Sequence, residues 1–168
     1  MDKRNNKKLW AYIAVGALII LITVFSIQWT GANKPLGNEK TVRIYQYDTF
    51  DLLFAAIVNG DAYVSLNPDK HYVDEFDFVY DKASSAYTIS KLIGDETYYL
   101  CMTQDHEISL TDSADSYGTR WNVRRSGNSM YYFLINSEDG YALTWTGVYN
   151  VGMMPFDEND TRMYMRLQ

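Results

Sequence analysis

Residues 9–29 read LWAYIAVGALIILITVFSIQW, twenty-one consecutive positions without a charged side chain. A helix of that length spans about 30 Å, the thickness of a bilayer's hydrocarbon core. Trp10 and Trp29 stand at its two ends, where amphipathic rings favour the headgroup zone. Lys3, Arg4, Lys7 and Lys8 all precede the run, so residues 1–8 carry a net charge of +3. Positive-inside logic makes residues 1–8 a cytoplasmic basic tail and 9–29 a transmembrane signal anchor. It sends residues 30–168 across the cell membrane, as a single-pass protein with an extracytoplasmic C-terminal domain. A cleaved signal peptide shares the basic start, but its apolar region normally runs only about 7–15 residues. A helix buried in a soluble core is also apolar all round, but rarely begins at residue 9 behind a basic cluster.

The remaining 160 residues carry 11 basic and 20 acidic side chains, a net charge of −9. Such a body repels phosphate backbones and excludes nucleic acid as a partner. The lone Cys101 can close no internal disulfide and supports no thiolate metal cluster. Thr30–Thr41 (TGANKPLGNEKT) lacks apolar periodicity and reads as a linker. Beyond it, short alternating runs are separated by turn signals such as Asn59-Gly60-Asp61, Asn67-Pro68-Asp69, Gly94-Asp95 and Asp139-Gly140. This spacing, with 15 Tyr, 7 Phe and 4 Trp, predicts an all-β domain over 42–168. Asp51–Val58 fits a short helix or a strand equally well.

The domain is internally repetitive. Val42/Ile44, Tyr87/Ile89 and Tyr132/Leu134 recur at a step of 45 residues, each an alternating apolar pair opening a segment. The segments close on Phe76/Phe78, Trp121/Val123 and Met163/Met165. Period-two alternation puts these side chains on one face. Three units of about 42–45 residues are too few for a long solenoid, whereas three units closing on one another remove exposed edges and share a core.

The segments Thr119-Arg120-Trp121-Asn122-Val123 and Thr161-Arg162-Met163-Tyr164-Met165 resemble the Gln-x-Trp strand of ricin-B-type lectins. Tyr99-Leu100-Cys101 and Tyr141-Ala142-Leu143 resemble the strand that precedes the sugar site in those repeats. The resemblance spans 42–168 and implies a β-trefoil of three repeats, with a lectin-like, carbohydrate-binding role. The match is degenerate: the Gln position reads Asp74, Thr119 and Thr161, one unit alone has the Trp, and no Asp stands beside Met102 or Thr144.

Chemistry-bearing clusters are sparse. His71 and His106, the two candidate bases, sit in charged loops and read as solvated turn residues. Asp74-Glu75, Asp112 with Asp115, and Asp157-Glu158-Asp160 read first as turn and solubility residues. Through them runs the alternative function, an enzyme or accessory subunit acting on cell-envelope polymers. Nothing calls for a cofactor or a metal ion. Aromatic rings in turns are the better ligand candidates, because ring faces stack on sugars and fill partner pockets. Trp145 and Tyr149 flank one such turn, Tyr117 stands in another, and Asp112 opens the latter. The alternation Tyr141, Leu143, Trp145 also allows Trp145 to point inward. The leading reading is a non-catalytic, membrane-anchored binding module for carbohydrate or a surface protein.

Overall fold

The computed structural model describes residues 34–69, 71–127 and 130–168. The anchor, with Trp10 and Trp29, lies outside the described residues; among those described, no helix is long and apolar enough to cross a membrane.

The first segment contains β1 (Glu39–Val42), β2 (Ile44–Gln46), β3 (Leu52–Val58), β4 (Asp61–Asn67) and β5 (Phe76–Asp81). The second contains β6 (Ala86–Ile93), β7 (Glu96–Met102), β8 (Ile108–Thr111) and β9 (Arg120–Arg125). The third contains β10 (Tyr132–Asn136), β11 (Tyr141–Gly147), β12 (Asn150–Pro155) and β13 (Met165–Leu167), with one 3-10 turn at Thr161–Met163. The ambiguous Asp51–Val58 stretch is therefore a strand, because β3 lies antiparallel to β4 through a turn at Asn59-Gly60, both with positive φ. The chain also enters the sheet earlier than the linker reading implied. Glu39, Lys40 and Thr41 pair with β5, and Tyr87 is tied to residues 36–37 by bonds of 3.2 and 2.9 Å.

Pairing repeats in each segment. Val42 lies opposite Phe76, Tyr87 opposite Trp121 and Tyr132 opposite Met165. Each opening strand also pairs with the first arm of a hairpin, through Tyr45–Leu52, Ser90–Tyr99 and Ile135–Ala142. Neighbouring segments join through β5–β6, β9–β10 and β13–β2, so the opening and closing strands form a closed ring. Arg43 and Gln168 seal it by exchanging backbone bonds of 2.7 and 3.1 Å. Closure leaves these strands no free edge.

The recurrence continues into the core. Leu53, Leu100 and Leu143 occupy matching hairpin positions and are fully buried, opposite Leu66, Leu110 and Met153. Two residues further along, on the same face, the matching residues are Ala55, Met102 and Trp145. These layers, with Ile44, Ile89, Leu134 and the ring residues above, make one apolar cluster. The third closing pair is Met165/Leu167, not Met163/Met165. Asp160 accepts from the Arg162 backbone N–H at 3.0 Å and caps the 3-10 turn, lifting Met163 out of the strand. Met163 packs instead with Phe133 and Ala142 in a smaller cluster.

Candidate functional site

The sharp turn between β11 and β12 begins with a register shift between Trp145 and Gly147 and ends at Tyr149, a non-glycine residue at φ 60°. Two groups hold it there: Leu66 N–H donates to the Tyr149 carbonyl at 3.1 Å, and the Ser65 hydroxyl bonds the same oxygen. The Tyr149 side chain is left 45% exposed. Trp145 faces the other way. It is 3% exposed, and its indole N–H donates to the Tyr164 carbonyl at 3.1 Å. At its place in the hairpin layer, alternation turns it toward the core. Of the two aromatics at this turn, Tyr149 alone offers a face to a ligand.

Opposite this turn lies the loop between β2 and β3. It is built on itself: the Thr49 hydroxyl donates to the Gln46 side-chain carbonyl at 2.8 Å, and Gln46 N–H donates to the Asp51 carbonyl at 2.9 Å. Gln46, Thr49 and Asp51 join Trp145, Tyr149 and Arg162 around an open cleft of about 580 Å³. Arg162 is braced by Asp160, with nitrogen–oxygen distances of 2.7 to 3.1 Å. The bonds from Arg162 hold the Asp160 carboxyl below its ordinary range, so it stays ionised and is no general acid. An open aromatic surface rimmed by an amide, a hydroxyl, a carboxylate and a guanidinium suits a ligand with a C–H face and several hydroxyl groups.

Tyr117 and Asp112 are exposed in the loop between β8 and β9 and do not line this cleft. Partial desolvation, then the charges of Asp139 and Glu138, raise the pKa of the Tyr117 hydroxyl. The acidic clusters are engaged. Asp74 pairs with Lys91, Glu75 with Arg43, Asp115 with Arg120, Glu158 with Arg124 and Asp160 with Arg162. His106 is no free turn residue, as it meets Asp139 at 2.8 Å and stacks on Tyr141 at 3.9 Å. Among the described residues, no group of three or more His, Cys, Asp or Glu side chains could hold a metal ion. Sequence reasoning missed Gln46, Thr49, Asp51 and Arg162. For the first three the one local signal was a polar turn, Asp48-Thr49, between two apolar runs.

An all-β domain with an open, polar-rimmed aromatic cleft is the class of molecule these observations define. No family model matches the chain, and no curated protein matches its sequence. Its fold is shared with solved structures at 15% identity. The structure of SeviL bound to asialo-GM1 saccharide has a TM-score of 0.62 over 76% of this chain and 95% of that one. Cry35Ab1 has a TM-score of 0.62 over 77% of this chain, which spans only 35% of Cry35Ab1. A complex of lysenin with phosphocholine has a TM-score of 0.55 over 79% of this chain and 46% of lysenin. At this identity the likeness concerns the fold.

Proposed function

We propose that this chain is a non-catalytic carbohydrate-binding module: a β-trefoil held outside the cell membrane by the apolar segment 9–29. The threefold pairing and the closed ring support the trefoil. The likeness in fold to SeviL, whose structure holds a saccharide, supports the ligand class. One observation carries the reading. The exposed ring of Tyr149 shares a cleft with the hydrogen-bonding groups of Gln46, Thr49, Asp51 and Arg162. A sugar's apolar face packs on such a ring while its hydroxyls pair with the rim. Tethering keeps the module concentrated at the surface, so weak individual contacts suffice.

The test uses the whole chain with a C-terminal epitope tag. Unpermeabilised cells bind antibody to the tag, and the purified chain captures a saccharide on a glycan array. Tyr149→Ala weakens capture by roughly five- to thirtyfold, the about 1–2 kcal/mol that a stacked aromatic contributes. Because the ring is exposed, the melting temperature stays unchanged. A tag reached only after permeabilisation refutes the topology. Saccharide capture that survives Tyr149→Ala refutes the site.

A further inference from the structure

A second cleft, of about 310 Å³, lies on the other side of the β2–β3 loop and is lined by Tyr45, Phe50, Leu52, Asp69, Tyr72 and Gln168. Three of these six are aromatic and one is a carboxylate. Phe50 holds φ at 61°, a conformation that a bulky residue adopts only at a cost and that Gly or Asn would take more readily. The strain places its ring 40% exposed at the cleft. Tyr72, 38% exposed, is braced edge-on against Phe54 at 5.4 Å, and its N–H donates to the Asp69 carbonyl at 3.0 Å.

The Asp69 carboxylate is oriented by its own turn: one oxygen accepts from His71 N–H at 2.9 Å, and Asp69 N–H donates to the Asn67 side chain at 2.9 Å. Its other oxygen has no hydrogen-bond partner among the described residues. Aromatic faces and a carboxylate around a small cleft are the chemistry that holds an ammonium group, above all a quaternary one that cannot donate hydrogen bonds. Phe50 already holds a cation. The Arg166 guanidinium lies 4.4 Å from its ring centroid, and Arg166 stands directly across from Tyr45 in the sheet. A bare cation in the cleft would meet that charge. A ligand with an anionic group next to its ammonium would use it. Arg43, the other cation at this edge, is hydrogen-bonded to the Tyr45 side chain and paired with Glu75 at 3.0 Å.

We infer that this cleft binds a zwitterionic phospho-ammonium headgroup of the phosphocholine type, with the ammonium among Tyr45, Phe50, Tyr72 and Asp69 and the phosphate toward Arg166. The site is separate from the Tyr149 cleft, and neither reading depends on the other.

The experiment is calorimetric titration of the full chain in polyoxyethylene-ether micelles, which carry neither sugar nor ammonium. Phosphocholine binds, and choline binds more weakly. The neutral isostere 3,3-dimethylbutanol binds at least tenfold more weakly than choline. Asp69→Asn weakens phosphocholine about fivefold, and Arg166→Gln weakens phosphocholine while sparing choline. Phe50→Gly abolishes binding without lowering the melting temperature, because glycine accepts the positive φ. Tyr72→Phe retains binding, and so does Tyr149→Ala. Competition by phosphatidylcholine vesicles but not phosphatidylglycerol vesicles identifies the lipid as source; competition by soluble phosphocholine alone identifies the free headgroup. Binding of the neutral isostere as tight as that of choline overturns the inference, as does full phosphocholine binding by a folded Phe50→Gly chain.

Discussion

Replacing Asp74 by Ala tests the structural role of the residue that stands at the Gln position of the ricin-B-type Gln-x-Trp motif. Asp74 and Lys91 form an ion pair whose side chains are 4% and 13% exposed. The carboxylate also accepts from Ala55 N–H at 3.0 Å, and the Lys91 ammonium donates to the Ala55 carbonyl at 2.5 Å. The pair thus bolts β3 of the first segment to β6 of the second, between the rings of Phe54 and Phe76. Asp74→Ala leaves the part-buried Lys91 ammonium without its counter-charge and the buried Ala55 N–H without its acceptor. Breaking one side of a buried pair costs about 3–5 kcal/mol. For a domain of this size each kcal/mol is worth roughly 3–5 °C, so the melting temperature falls by about 10–20 °C. Asp74→Asn keeps an acceptor for Ala55 and costs about half as much. Asp74→Ala combined with Lys91→Met removes both charges and recovers most of the loss. Urea unfolding followed by the fluorescence of buried Trp121 and Trp145 reads all three variants. A single variant costing under about 1 kcal/mol, or a double variant no better than the single one, refutes the reasoning.

Two further outcomes follow from backbone and burial. Gly118 has φ +73°, and an added Cβ would sit 2.0 Å from the Met102 carbonyl oxygen, so Gly118→Ala costs at least about 3 kcal/mol in a urea melt. Gly140→Ala, also at positive φ but with open space around it, costs only about 1 kcal/mol. Burial pushes the Cys101 thiol from an ordinary 9.0 to about 11. The folded value lies above the unfolded one, so this contribution to stability is complete below about pH 9 and is lost as pH rises through 11. Burial also raises the Tyr87 hydroxyl and acts with the same sign. Urea midpoints should therefore fall steeply between pH 9 and 11, and a thiol reagent at pH 8 should label Cys101 only as fast as the chain unfolds.

The repeats were legible because burial writes itself into alternation. Val42 and Tyr87 pair with the first residue of the closing pair their spacing predicts, and Tyr132 pairs two residues later, with Met165, since one core selects apolar positions three times. Strand β1 escaped notice because Glu39, Lys40 and Thr41 are exposed on an outer pair and carry no apolar pattern. The third closing pair was misread by two residues because Met163 is as buried as Met165 while standing in a turn; burial alone does not separate turn from strand.

The Tyr149 cleft was half legible for a different reason. Its aromatic half lies within five residues, Trp145 to Tyr149, and a short window contains it. Apart from Arg162, its polar half comes from residues 46–51, far back along the chain, and meets the first half only because β13 pairs with β2 and closes the ring. No local periodicity encodes a contact created by closure. The same closure brings Arg166 of β13 beside Tyr45 of β2 and so sets a guanidinium at the edge of the aromatic cleft. Both candidate ligand clefts therefore flank one loop, at the seam where the two ends of the domain meet. Binding at either one would hold that seam shut, and a ligand should protect the exchange of the Arg43 and Gln168 amides more than those of β6 and β9.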